Sequence, residues 1–67
     1  MNIQDKAITL LTSAYGGKWE HVISRKVKNT MDTIVSCETS THFVVMVHCG
    51  VLDRFDDLEW HTKEEEN

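Results

Sequence analysis

The sequence predicts an α+β fold in which an N-terminal helix packs on a small three-stranded antiparallel meander. Apolar residues recur at helical spacing between Ile3 and Ala14, and residues 42–51 form the most apolar run, rich in β-branched side chains. The 67 residues are 40% hydrophobic and 27% charged, as in globular rather than disordered proteins. We therefore expect residues 1–62 to form a single compact α+β domain, followed by a disordered acidic tail, 63–67.

The helix is the element with the clearest boundaries. Its apolar stripe consists of Ile3, Ala7, Leu10, Leu11 and Ala14. Asn2 can cap the N-terminus with its side-chain oxygen, and Asp5 lies in the first turn, where it complements the helix dipole. Gly16 and Gly17 supply a left-handed exit. The predicted helix therefore fills the segment between Asn2 and Gly16.

The segment from Lys18 to Lys28 fits two periods. A helical stripe would contain Trp19, Val22, Ile23 and Val27, and a strand would place Trp19, His21, Ile23 and Val27 on one side. We favour a strand, because a helix would have to begin within a residue or two of Gly16 and Gly17. An edge strand also suits Lys26 and Lys28, which would guard it against pairing with other chains.

Two further strands are predicted at residues 33–38 and 42–51, with a turn at 29–32 and a tight connection at 39–41. Placing Glu38 opposite His42 sets the register. Because side chains alternate along a strand, the odd-numbered residues then face the helix: Met31, Val35, Cys37, Phe43, Val45, Val47, Cys49 and Val51. The even-numbered face pairs Val44 with Ser36, Met46 with Ile34 and His48 with Asp32, so it has an apolar middle and charged ends.

The segment after Gly50 mixes helical and strand periods. Asp53 as a cap, Asp56 in a first turn and the spacing of Leu52, Phe55 and Leu58 favour a short C-terminal helix. A fourth strand through residues 58–61 is the alternative. Whether this segment covers the even-numbered face of the sheet stays open.

Composition disfavours several classes of partner. The formal net charge is −4, from 11 acidic and 7 basic residues, which disfavours a surface that neutralises nucleic-acid phosphates. The longest apolar run is far shorter than the roughly 18 residues of a membrane span, and no basic signal segment is visible. Two cysteines without a dense disulfide pattern are typical of reduced thiols, so we expect a cytoplasmic protein.

The sequence contains no catalytic signature, and we expect neither an enzyme nor a cofactor. The four histidines and two cysteines form no C-x-x-C or H-x-x-x-H pair. His42 and His48 would share a strand face about 20 Å apart, too far to hold one ion. A metal site built from His21, Cys37 or His61 is one alternative. A nucleic-acid site is another, built from Lys18, Arg25, Lys26 and Lys28 with Trp19 nearby.

The predicted function is protein docking without catalysis. The candidate partner-binding residues are Ile34, Val44, Met46, His42, His48 and Trp60. The leading hypothesis is a small acidic module that docks on a larger protein, in its most specific form a phage- or mobile-element-encoded inhibitor of a host enzyme or defence system. The alternatives are a homodimeric structural or regulatory protein and a metal- or nucleic-acid-binding protein.

Overall fold

A computed structural model describes residues 2–63, which form one helix and one four-stranded antiparallel sheet. The elements are α1 (Ile3–Tyr15), β1 (Glu20–Lys26), β2 (Thr33–Glu38), β3 (His42–Cys49) and β4 (Arg54–Thr62). Each strand pairs with its sequence neighbour, so the order across the sheet is β1-β2-β3-β4. The α+β class is confirmed, and the meander has four strands instead of three.

Helix α1 begins and ends at the predicted signals. The N–H of Asp5 donates to Oδ1 of Asn2 at 2.8 Å, and Gly16 ends the helix with a φ of 71°. Ala7 and Leu11 are fully buried against the sheet, whereas Leu10 is 40% exposed. The buried stripe is therefore narrower than the apolar pattern suggested.

The ambiguous segment is a strand, as favoured from the sequence, and its hydrogen-bond register is interrupted near its start. A register shift between Glu20 and Ile23 marks a bulge, at which His21 has a left-handed φ of 51°. Trp19 precedes the strand, is buried and donates from Nε1 to the carbonyl of Gly16 at 2.9 Å. This bond fixes the loop that joins α1 to β1.

The predicted C-terminal helix is wrong, and the alternative fourth strand is found as β4. The helix-like spacing has a physical source in a second bulge. The register shifts between Val45 and Val47, and Asp57 has a φ of 53°. This extra residue turns the period of two into a step of three between the core-facing Phe55 and Leu58. Lys63, expected in the tail, bonds through its backbone N–H to the carbonyl of Thr41 at 2.8 Å. The rest of that predicted tail, 64–67, lies outside the described residues.

The predicted register of the second hairpin is wrong by one residue. Glu38 lies opposite Phe43 and not opposite His42. The N–H of Thr39 donates to the carbonyl of His42 at 2.8 Å, which shortens the connection to a two-residue turn. The hydroxyl of Thr39 accepts the N–H groups of Thr41 and His42 and holds this turn. Because side chains alternate, the slip exchanges the two faces of β3.

The sheet therefore has a covered face and an open face. The core between α1 and the covered face consists of Ala7, Leu11, Trp19, Val35, Cys37, Val44 and Met46. We call the opposite side the open face; the register places on it Glu20, Ile23, Arg25, Ile34, Ser36, Glu38, Phe43, Val45, Val47, Cys49, Arg54, Asp56, Glu59 and His61. The predicted core face of β2 is confirmed, but β3 buries its even-numbered residues instead of its odd-numbered ones.

Candidate functional site

An aromatic groove lies where the C-terminal end of α1, the turn between β2 and β3, and the end of β4 meet. Its volume is about 620 Å³. We define the aromatic groove by its four rings, Tyr15, Trp19, His42 and Trp60. The rim adds ionisable residues from the loop before β1, from β1 and β2, and from the residue after β4, namely Lys18, Glu20, His21, Glu38 and Lys63.

Trp60 is the centre of the aromatic groove. Its ring lies edge-to-face with Tyr15 at a centroid distance of 4.6 Å and with Trp19 at 5.8 Å. The His42 ring is 6.0 Å from it. Trp19 is buried, but Tyr15 is 57% and Trp60 is 40% exposed. Two large rings held in place by their neighbours, yet open to solvent, have the properties of interface anchors.

The charged rim of the groove is locally balanced. Nζ of Lys63 lies 3.2 Å from Oε2 of Glu38 and donates to the carbonyl of Thr39 at 2.7 Å. His21 contacts the other Glu38 oxygen through Nδ1. The hydrogen bond from Lys63, followed by that from His21, lowers the pKa of Glu38 below the usual carboxyl value. Lys18 pairs with Glu20 at 3.3 Å. The acidic and basic side chains of the rim thus contact one another, while the rings of Tyr15 and Trp60 stay exposed to solvent.

A second polar cluster joins α1 to the turn between β3 and β4. Asp53 accepts from Lys6 at 3.0 Å and contacts Nε2 of His48 at 2.8 Å. The hydrogen bond from Lys6, and then that from His48, lowers the pKa of Asp53. Among residues 2–63, Nδ1 of His48 has no hydrogen-bond partner. The predicted pairing of His48 with Asp32 is thus replaced by pairing with Asp53.

The predicted partner-binding residues are divided among three places. Val44 and Met46 are fully buried and His48 is 5% exposed, so these three cannot line an exposed surface. The register error is the cause, because it assigned their side of β3 to solvent. Ile34 lies on the open face, while His42 and Trp60 come together in the aromatic groove.

Tyr15 was in no candidate site predicted from the sequence, and Trp19 appeared only in the nucleic-acid alternative. Both flank Gly16 and Gly17, and the glycines allow the chain to reverse so that the two rings approach β4. The signal available in the sequence was two aromatic residues placed on either side of a helix exit. Their convergence on Trp60 depends on the fourth strand, which the residue pattern favoured less than a helix.

The alternative metal and nucleic-acid sites are not assembled in the part of the chain that the structure describes. No group of three or more His, Cys, Asp and Glu residues there could hold a metal ion. Arg25 and Lys26 point to opposite faces of β1, and the buried Trp19 cannot stack on a base. Both cysteines are free, and burial raises the pKa of the Cys37 thiol.

Comparison with known proteins gives no further assignment. No protein-family model, curated protein or solved structure matches the chain. In residues 2–63, no helix has the length and apolarity needed to cross a membrane.

Proposed function

We propose that this protein is a non-enzymatic interaction module that docks on a larger protein through the aromatic groove. The observation that carries the proposal is the pair of exposed rings, Tyr15 and Trp60, held 4.6 Å apart at the mouth of a concave surface. Aromatic anchors in a concave patch supply large contact area at small entropic cost. The charged rim around them resembles the polar border of a protein interface.

The occupant that fits this groove is a basic segment of the partner. The chain carries a net charge of −4, which attracts a positively charged surface and repels an acidic one. Exposed aromatic faces also attract the guanidinium of arginine and the ammonium of lysine. The Lys63 ammonium at the rim, bonded to Glu38 and to the Thr39 carbonyl, is a cation already accommodated there.

The chemistry of the groove supports binding in preference to catalysis. Thr41 Oγ1 lies 2.7 Å from Nδ1 of His42, a hydrogen-bonding distance that would also suit a hydroxyl nucleophile and its general base. Among the described residues no carboxylate hydrogen-bonds to that imidazole, and the two ammonium groups of the groove, those of Lys18 and Lys63, are each paired with a carboxylate. We therefore assign His42 to contact with the partner.

The specific form of the proposal is a cytoplasmic protein, encoded by a phage or mobile element, that inhibits a host enzyme or defence system. The free thiols of Cys37 and Cys49 suit a reducing compartment. A small, acidic chain with one anchor-lined groove suits a role in which binding alone produces the effect. No observation on the described residues favours the metal- or nucleic-acid-binding alternative.

Titration with short peptides tests the occupant directly, because Trp19 and Trp60 in the groove report binding through fluorescence. Three peptides of one length would be compared, rich in arginine and lysine, in glutamine, or in glutamate. We expect the basic peptide alone to change the fluorescence saturably, with weaker binding as salt increases. Saturable binding of the glutamate peptide would contradict the proposal.

A matched pair of variants locates the binding site. Tyr15→Ala removes an exposed ring of the groove, and Leu52→Ala removes an exposed apolar side chain, 58% accessible, from the turn between β3 and β4. We expect Tyr15→Ala to weaken binding of the basic peptide by roughly 5- to 30-fold, as for an anchor residue, and Leu52→Ala to leave it unchanged. Equal binding by both variants would exclude the groove.

A further inference from the structure

The open face is more apolar than a sheet surface that faces water. Ile23, Ile34 and Phe43 on it are 64%, 39% and 38% exposed. Val45 and Val47 lie between them, so β3 directs its valine-rich side away from α1 while His48 is buried on the other side. An antiparallel sheet with one solvated face normally alternates apolar inward and polar outward. Here β3 carries apolar side chains on both sides, which indicates that another surface covers the open face.

We infer that a second copy of this chain covers the open face and forms a twofold-symmetric dimer by sheet-on-sheet packing. The charges at its two edges identify the occupant. Arg25 lies on edge strand β1, and Asp56 and Glu59 lie on edge strand β4, where Arg54 Nε is 3.1 Å from Asp56 Oδ2. The pairing runs Arg25 to Ile34, Ile34 to Val47 and Val47 to Asp56, so one row across the sheet is basic, apolar and acidic in turn.

This row is self-complementary under one twofold axis. An axis parallel to the strands reverses the strand order and keeps each row in place, so β1 of one copy lies over β4 of the other. Arg25 then meets Asp56 of the second copy, and Ile34 meets Val47. The twist of each sheet rotates the two strand directions by about 30° without separating these rows.

The other twofold axis in the plane of the interface is perpendicular to the strands. It places each strand over its own copy and reverses the rows, so Arg25 lies beside Glu20 of the second copy. Both axes cover the Glu38 carboxylate with an apolar side chain, Phe43 for the parallel axis and Ile34 for the perpendicular one. The two axes therefore differ in which carboxylate of the second copy meets Arg25.

The size of the open face predicts a dimer that dissociates on dilution. Four strands about 4.8 Å apart, each contributing about six residues, cover on the order of 400 Å² per copy. Side chains that project from the sheet raise the total area removed from water to roughly 1,000 Å², at the low end for specific interfaces. The core of one copy is small, so the added burial also stabilises the fold.

Sedimentation equilibrium of the full chain, from roughly 1 µM to roughly 500 µM, tests the dimer. We expect the mass to rise from one copy towards two across this range. Ile34→Glu places a charge in the middle of the face and should leave a monomer, whereas Leu52→Glu, outside the face, should dimerise as the wild type does. A wild-type monomer at every concentration, or an Ile34→Glu variant that still dimerises, would overturn the inference.

Charge reversal tests the symmetry and does not depend on a variant with a damaged core. Arg25 and Asp56 are three strands apart in one chain, about 14 Å, so they cannot pair within a copy. Arg25→Glu alone should weaken the dimer at least threefold. Adding Asp56→Arg should restore the dimer under the axis parallel to the strands, and adding Glu20→Arg should restore it under the perpendicular axis. Restoration by neither second substitution would overturn the inference.

Discussion

Two carboxylates fasten separate parts of the molecule. Glu38 connects β2 to Lys63 and His21 at the aromatic groove, and Asp53 connects the turn after β3 to Lys6 of α1 and to the buried His48. The pKa of each is lowered because its partners donate hydrogen bonds to the ionised form. Both therefore stabilise the fold when they are charged.

The first prediction concerns the pH dependence that follows from Asp53. A carboxyl with a lowered folded pKa adds stability that is present above its unfolded pKa of about 3.9 and is lost as pH falls through the folded value. Asp53→Asn should lower the free energy of unfolding at pH 7. The difference from wild type should shrink as pH falls from about 5 to below 3, measured by urea unfolding followed by tryptophan fluorescence.

Asp57→Asn is the matched control for this change. Asp57 has the same left-handed backbone, with φ of 53° against 51° at Asp53, and it takes part in none of the ion pairs found among residues 2–63. Asparagine tolerates this backbone, so neither variant adds strain. A loss at pH 7 that is equal in both variants would show that the contacts of Asp53 contribute nothing.

Gly50 carries the second residue-level prediction. A Cβ at this position would lie 2.1 Å from the carbonyl oxygen of Met31, a backbone atom that cannot rotate away. Gly50→Ala should therefore separate the two hairpin turns and cost about 1–3 kcal/mol of unfolding free energy. Urea unfolding at 25 °C measures this loss.

The comparison for Gly50 is a glycine with open space around it. At Gly16 nothing lies within 4 Å of an added Cβ, but its φ of 71° and ψ of −166° lie in a backbone region that is essentially restricted to glycine. Gly16→Ala should therefore cost about 1–3 kcal/mol through backbone strain alone. If Gly50→Ala is the milder of the two, the contact with Met31 is not rigid.

At the level of elements, packing of α1 on the sheet depends on a narrow stripe of side chains. Leu11 is fully buried between the helix and the sheet, while the adjacent Leu10 is 40% exposed. Leu11→Ala should cost about 2–5 kcal/mol, since it removes a fully packed side chain and leaves a cavity. Leu10→Ala should cost less than about 1 kcal/mol. Equal losses in urea unfolding would mean that the helix is rotated from the described orientation.

Local signals predicted the elements whose boundaries depend on residues close in sequence. The cap at Asn2 and the exit at Gly16 set the helix, and the edge strand and β2 followed from period and turn residues. The two errors concerned β4 and the register of β3. Each arose where a single residue changes which side chains share a face of the strand. The bulge at Asp57 made β4 resemble a helix, and the two-residue turn closed by Thr39 shifted β3 by one position.

At the level of the whole molecule, hydrophobicity alone chose the wrong face of β3. Phe43, Val45 and Val47 are more apolar than His42, Val44, Met46 and His48 taken together, so the pattern assigned them to the core. The fold exposes them because the turn at Thr39 sets the register, and His48 is accommodated in the core by Asp53. A sequence pattern cannot distinguish a face buried within the chain from one buried by another copy.

Two of the four rings of the aromatic groove were predicted from the sequence. Trp60 and His42 were candidates from residue type alone, since both combine a ring with a polar atom. Their meeting with Tyr15 and Trp19 depends on contacts between the two ends of the chain. Such long-range contacts have no local signal in a single sequence.

The thiol of Cys37 gives a measure of how the whole molecule opens. It is 1% exposed beneath α1, and burial raises its pKa, so the reactive thiolate is scarce in the folded state. Cys49 lies at the end of β3 and is only half-buried. With Cys49→Ser, labelling of Cys37 by a disulfide reagent should require global unfolding, and the free energy from labelling should equal that from urea.

The same measurement distinguishes a cooperative fold from a locally open one and responds to the dimer. In the Cys37→Ala variant only Cys49 remains, and it should react with the disulfide reagent faster than Cys37 does in the Cys49→Ser variant. Equal labelling rates for the two thiols would show that α1 detaches from the sheet without global unfolding. Raising the protein concentration should slow labelling of Cys37, because a second copy on the open face stabilises the folded chain by mass action. Ile34→Glu combined with Cys49→Ser should remove this concentration dependence. Its persistence in that variant would place the association elsewhere on the molecule.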